Sequence, residues 1–377
     1  MTSQAAKVFH LARFSRRLFG VPIRALNLRH GEVADSAFFT NRDIRALTPE
    51  AVRWGPSRPD APARPPLTVT KPKTEGKTPG FFVTDANGAR FLVKLNPIDS
   101  PELLSGAEVV TSKLLYALGY HVPSYEILEL SPDDVRLRPE AARGQAAQFT
   151  DEELRRLLEP RLREGKVRVS ASRMLDGEIL GPAVFKQFRD CAEIRALKLA
   201  YAWLNNIDAK DHNSLLVWNG RETVGYLIDF GTSLGADAGR AGPKTRCAGW
   251  VNIVDVQEIA LKVVTFGAHQ PTCDTADQAF SPSVGFFSSH IDPDGWKPYA
   301  PNLAFDEMNE DDADWIARRM ARLSREQIAA AVAAGRYTNP ADAVYLVEAL
   351  VARRDAIVER YLDDDDEESA DTKGRER

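Results

Sequence analysis

The 377-residue chain lacks any apolar run near the roughly 18 residues a membrane-spanning helix needs, which excludes such a helix. Cysteine is scarce. Cys191, Cys247 and Cys273 are too few and too scattered for a disulfide scaffold, and the expectation is reduced thiols in a cytoplasmic protein. There is no C-x-x-C pair and no H-E-x-x-H, so neither a structural zinc knot nor a zincin site is expected. The body also lacks net charge. Eight acids against three bases lie between Asp363 and Arg377, which equals the −5 of the whole chain. Residues 1–362 are therefore formally neutral and provide no positive field for nucleic acid, so none is expected as a partner.

What is present suits a globular protein with one large or two modest domains: 44% hydrophobic and 27% charged residues. Residues 1–66 are basic and then rich in Pro and Arg, and are expected to be an extension and linker. Ser15-Arg16-Arg17-Leu18-Phe19 resembles a twin-arginine export signal, but Arg24 interrupts a short apolar stretch and no small-residue cleavage site follows, so export is not expected. A solvated tail is the expectation, with a weak contact between this basic N-terminus and an anionic membrane surface as the alternative. The acidic run from Asp363 reads as a disordered tail.

Between these ends the pattern is mixed. Phe81–Val83 and Arg90–Leu95 read as strands joined by Asp85-Ala86-Asn87-Gly88, where Asn and Gly tolerate positive φ. A helix follows, with Ser100 to cap it, Pro101 in its first turn and Gly119 to end it. Tyr125–Leu130 and Val167–Leu175 read as further strands, and residues 131–166 as charged and helical in composition. Asp190 with Glu193 looks like a capping box opening a helix whose buried stripe is Ile194, Leu197, Tyr201 and Leu204. Ser214–Trp218 and Thr223–Ile228 form a second Asn-Gly hairpin. Residues 232–300 are rich in Gly, Pro and aromatics, with Trp250, Phe286, Phe287, Trp296 and Tyr299 expected to pack as a satellite core. Helices over 311–322, 324–334 and 340–362 close the fold.

The informative stretch is Asn206-Ile207-Asp208-Ala209-Lys210-Asp211-His212-Asn213, on a loop between a buried helix and the second hairpin, which ends in Ile228-Asp229-Phe230-Gly231. This order suits phosphoryl transfer. One aspartate orients an attacking hydroxyl and accepts its proton, while an asparagine and a second aspartate offer the oxygen ligands magnesium requires. Upstream, Lys94 is flanked by apolar residues in a strand, which calls for a partner, and Glu108 is the acid bordering the buried face of the next helix.

With these parts in place, the chain resembles an atypical member of the protein-kinase-like superfamily, in the manner of the HipA-type and phosphatidylinositol kinases. The resemblance spans roughly residues 70–235 and includes Gly119-Tyr120-His121-Val122-Pro123 after the helix. It implies an α+β, two-lobed fold, with a β-rich N-lobe (67–174), a mainly helical C-lobe (175–362), and ATP and Mg2+ between them. It implies that Lys94 contacts phosphates, Glu108 pairs with it, Asp208 is the catalytic base, Lys210 steadies the transferred phosphoryl, and Asn213 and Asp229 ligate magnesium. The segment at Met174-Leu175 would present backbone groups to the base. Three features depart from the pattern. Asn206-Ile207 replaces His-Arg, no Ala-Pro-Glu follows the Asp-Phe-Gly, and no full G-x-G-x-x-G precedes Lys94, so phosphate cradling would fall to the loop holding Gly76 and Lys77. The expected partners are a nucleotide and an acceptor that is a protein Ser/Thr or a small-molecule or lipid hydroxyl. A nucleotide-binding regulatory module without transfer, or transfer of AMP in place of phosphoryl, are the alternatives.

Overall fold

The computed structural model describes residues 23–57, 59, 62–137, 149–252, 261–269, 273 and 280–362. The twin-arginine stretch and the acidic tail lie outside them. The fold is α+β, with a β-rich part and a mainly helical part. Near the start, strands β1 (Leu28–Arg29) and β2 (Glu32–Val33) form a small hairpin, and helix α1 (Pro49–Trp54) follows, capped by the Thr48 hydroxyl.

A six-stranded sheet comes next. It is built from β3 (Leu67–Pro72), β4 (Gly80–Thr84), β5 (Arg90–Leu95), β6 (Tyr125–Leu130), β7 (Val135–Leu137) and β8 (Val167–Arg173), in the order β6-β8-β5-β4-β3-β7. All its pairs are antiparallel except β3 with β7. Period-two alternation sends the two sets of side chains to opposite faces. Val69, Phe81, Val83, Phe91, Val93 and Leu95 pack on one face with Leu154 and Leu158 of helix α3 (Asp151–Leu158). The other face carries Phe82, Leu92, Lys94 and Ser170, and helix α2 (Leu103–Leu118) lies against part of it. Gly119 ends α2 at φ 116°, a conformation only glycine adopts cheaply, and a Cβ there would lie 2.2 Å from the Phe39 ring.

Strand β9 (Glu178–Gly181) then pairs with the hairpin of β10 (Ser214–Trp218) and β11 (Thr223–Leu227), which Asn219-Gly220 turns, with Gly220 at φ 93°. Between β9 and β10 runs α4 (Ala192–Trp203), buried on nearly every side. After the short strands β12 (Ala236–Asp237) and β13 (Gly242–Pro243) come α5 (Glu310–Ala321), α6 (Arg325–Ala334) and α7 (Pro340–Leu362); α5 and α7 pack against α4, and α6 packs against α1, α2 and α7. Trp203 Nε1 donates to the Leu350 carbonyl at 2.8 Å, and Arg353 Nε donates back to the Trp203 carbonyl at 2.7 Å.

Several expectations are corrected. Much of the segment read as extension and linker is core: Val33, Phe38, Phe39, Ile44 and Val52 are fully buried in the helical part. The Arg319 guanidinium clasps the segment by donating to Asn41 Oδ1 and the Arg42 carbonyl, and it also reaches the last carbonyl of α2 at Leu118. Composition misleads because the buried residues are sparse among polar ones. The Glu193 carboxylate does not close a capping box. It accepts from Asn27 and Ser36, and Cys191 holds the N-cap position. Glu102, in place of Ser100, precedes the first residue of α2. Of residues 131–166, only α3 forms an α-helix among the described ones, and β7 is a strand. Phe287 and Trp296 belong to the main core, with Tyr299 packed against it, and form no satellite. Finally, Cys247 and Cys273 form a disulfide with Cα atoms 5.4 Å apart, leaving Cys191 as the free thiol.

Candidate active site

Lys94 sits near the end of β5 with its ammonium nearly buried, at 8% side-chain exposure. Its Nζ donates to Glu108 Oε1 on α2 and, at 2.9 Å, to Asp229 Oδ1 just beyond β11. Side chains 135 positions apart thus share one proton-rich contact. Glu108 is 2% exposed, and its other oxygen accepts from the Ser170 hydroxyl on β8, the residue paired with Lys94 across the sheet. Burial opposes the Lys94 charge, but Asp229 and Glu108 outweigh it and hold the ammonium above its ordinary value. The Asp229 carboxyl is likewise disfavoured by burial and rescued by Lys94, then by Lys210 and Lys73, and ends below the usual carboxylate range.

The backbone delivers Asp229 in a left-handed conformation, φ 60°, which costs a non-glycine residue about 1–2 kcal/mol and needs support from its surroundings. That support is visible. The Asp229 amide donates to the Tyr125 hydroxyl at 3.2 Å, and the adjacent Phe230 is fully buried with its ring centroid 5.6 Å from that of Tyr125. Gly231 leaves room beside the pair, because a Cβ there would lie 3.0 Å from the Ala238 Cβ and 3.6 Å from Glu108 Oε1.

The second loop runs alongside. The Ile207 and Leu234 amides donate to Thr232 and Leu204 carbonyls, and the Thr232 hydroxyl donates to Asn206 Oδ1 at 3.0 Å, so the segments after α4 and β11 are laced together. Asn302 Nδ2 donates to the Ala209 carbonyl at 3.1 Å. Asp208 is accessible and pairs with Lys210 at 2.6 Å. Asn213 Nδ2 donates to the Asp208 carbonyl at 2.7 Å, and the Asn213 carbonyl accepts from the Ile228 amide at 3.0 Å, which sets Asn213 beside the residue preceding Asp229.

Two oxygen donors, the Asn213 amide oxygen (its Nδ2 turned to Asp208) and the Asp229 carboxylate, are the ligand type a hard divalent cation takes. Among the described residues no group of three or more His, Cys, Asp or Glu gathers for a metal. A two-donor set fits magnesium, which keeps water and phosphate oxygens as its remaining ligands, and does not fit a closed protein cage.

The remaining candidates lie at the rims. Gly76 and Lys77 are exposed on the β3–β4 loop, Gly76 at φ 71°. Met174 and Leu175 are half-buried just past β8; the Met174 amide donates to the Arg90 carbonyl at 2.9 Å, and Met174 lines a cavity of about 310 Å³ with Arg90 and Arg173. That is four positions along the β5–β8 ladder from Lys94, roughly 13 Å. Sequence reasoning missed Lys73, Ser170 and Tyr125. The small polar side chain of Ser170 in the strand Val167–Ala171 was the available signal for it; Lys73 and Tyr125 carried none.

No protein-family model matches the chain, and no curated protein matches it. Among solved structures, the crystal structure of a Helicobacter pylori proinflammatory kinase CtkA aligns with 80% of this chain and 99% of its own, at 14% identity and a TM-score of 0.40.

Proposed function

We propose that the protein is an ATP- and magnesium-dependent phosphotransferase acting on an alcohol acceptor. The observation that carries this reading is the Glu108–Lys94–Asp229 contact, in which a strand, a helix and a loop bring one ammonium between two carboxylates next to Asp208 and Asn213. A buried lysine held charged by two acids is a fixed positive point for a nucleotide's phosphates. Half-buried Phe82 and Leu92, on the same sheet face as Lys94, offer apolar surface to a base.

In this reading the acceptor hydroxyl attacks the terminal phosphorus. The new O–P bond forms as the bond to the bridging oxygen breaks, and the proton passes to the Asp208 carboxylate, which is accessible and oriented by Lys210. Asn213 and Asp229 would hold magnesium, which when bound neutralises charge on the phosphates. Lys94 keeps its proton throughout, stabilising charge without exchanging it.

The test is thermal stabilisation by ATP with magnesium, coupled to ADP release in the presence of a mixed pool of acceptors. Asp229→Asn and Asp208→Ala should remove turnover while the circular dichroism spectrum stays unchanged. Undiminished turnover in both variants rejects the assignment, and stabilisation without turnover in the wild type converts it to a nucleotide-binding module.

A further inference from the structure

The β3–β4 loop has no full glycine fingerprint, yet it carries a lysine that the topology turns toward the site. The Lys73 amide donates to the Gly80 carbonyl at 2.9 Å, and Gly80 pairs with Lys94. Residues opposite one another in a sheet project to the same face. Lys73, Gly80 and Lys94 therefore form one transverse row, and its middle member contributes no side chain. Only glycine fits there, since a Cβ would lie 2.3 Å from the Val93 carbonyl oxygen. The two lysines thus share a face with nothing between them.

The Lys73 ammonium curls back into its own loop. Nζ donates to the Glu75 carbonyl and, at 3.0 Å, to the Thr78 carbonyl, and it lies under Gly76, where a Cβ would come within 3.0 Å of it. No carboxylate of the described residues pairs with it. Its surroundings are those of the site: burial and then the Lys94 charge push its pKa down, while Asp229 and Glu108 pull it up. With Lys94 and Lys210, it is one of three ammoniums acting on Asp229.

We infer that Lys73 is the loop's phosphate-binding residue, exchanging the Glu75 and Thr78 carbonyls for oxygens of the nucleotide's terminal phosphates. The exchange is favourable because phosphate oxygens carry charge opposite to the ammonium, adding a Coulombic attraction that the neutral carbonyls lack. It also supplies what the missing glycine motif would otherwise provide, a close positive contact over the phosphates. This inference rests on the nucleotide site proposed above and adds a residue and a ligand region to it.

The experiment measures dissociation constants for ATP and AMP, with magnesium, on the full chain as wild type, Lys73→Ala, Lys73→Arg and Arg155→Ala. Arg155 is exposed on α3, behind the opposite face of the sheet, and serves as the charge-matched control. Lys73→Ala should weaken ATP about tenfold to a hundredfold and AMP by less than about threefold, Lys73→Arg should recover most of the loss, and Arg155→Ala should match wild type. Equal ATP affinity in Lys73→Ala and wild type overturns the inference and leaves the site reading standing. Equal losses for ATP and AMP also overturn it, since they mark a structural role. Absence of ATP binding by the wild type defeats the site reading itself.

Discussion

Replacing Lys94 by Met keeps the side-chain volume and removes the charge between Glu108 and Asp229. The two carboxylates respond differently because their burial differs: Glu108 is 2% exposed and Asp229 43%. Asp229 can turn to water and to Lys210 and Lys73. Glu108 is left with the Ser170 hydroxyl alone. Breaking a buried pair by removing one partner costs about 3–5 kcal/mol. Equilibrium urea unfolding followed by tryptophan emission reads this directly. Lys94→Met should lose about 3–5 kcal/mol at pH 7. Asp229→Asn, which leaves Lys94 its Glu108 partner, should lose about 1 kcal/mol or less. Adding Glu108→Leu to Lys94→Met should restore most of the loss. A deficit no larger than that of Asp229→Asn, or one that Glu108→Leu leaves unchanged, refutes the claim that Glu108 is a buried charge dependent on Lys94.

Three further predictions concern other groups. Burial pushes the Lys113 ammonium down to about 7, although it donates at 2.8 Å to the Trp54 and Tyr125 carbonyls and to Ser57 Oγ. The unfolded chain then holds the extra proton between that value and its own, and stability should rise with pH from about 7 to 9 by up to about 1.4 kcal/mol per unit, a rise absent from Lys113→Met; parallel curves refute it. Thiol titration in denaturant should count Cys191 alone before reduction and all three cysteines after it, and three before reduction contradicts the Cys247–Cys273 bond. In the native protein Cys191 should alkylate slowly at pH 8, since burial lifts its thiol to about 11.

What was legible in the sequence was local. Asn219-Gly220 has few backbone options other than a hairpin turn, and Gly119 stops a helix because glycine alone adopts φ 116° cheaply. The candidate site motifs stand out in the sequence for the same reason, each being a short run of polar residues beside strong apolar periodicity. What was not legible depended on distant partners. Phe38 and Phe39 are buried through partners far along the chain: the His121 and Gly225 amides bond the Phe38 and Ala37 carbonyls, and Arg319, some 280 residues later, anchors Asn41 and Arg42 just after them. Cys247 and Cys273 carry no spacing that distinguishes a bond from two free thiols. Lys73 looks like any loop lysine until Gly80 is known to lie opposite it and Lys94 beyond.

The charges of the site set a condition on any ligand. Lys73, Lys94 and Lys210 face Glu108, Asp208 and Asp229, so the cluster is neutral, and each member already has hydrogen-bond acceptors or donors. A bare polyanion that drew the lysines away would leave three carboxylates uncompensated in a partly buried place. A bare divalent cation that took the carboxylates would do the same to the lysines. An anion arriving with its own cation satisfies both sets at once, because its oxygens replace the carboxylates as partners of the ammoniums while the cation replaces the ammoniums as partner of Asp229. Under the proposed function, nucleotide and magnesium therefore strengthen each other's binding by a common factor, as linkage requires. The coupling comes from the cluster's own neutrality, and Lys94→Met, which leaves the cluster net negative, should favour the cation and disfavour the nucleotide.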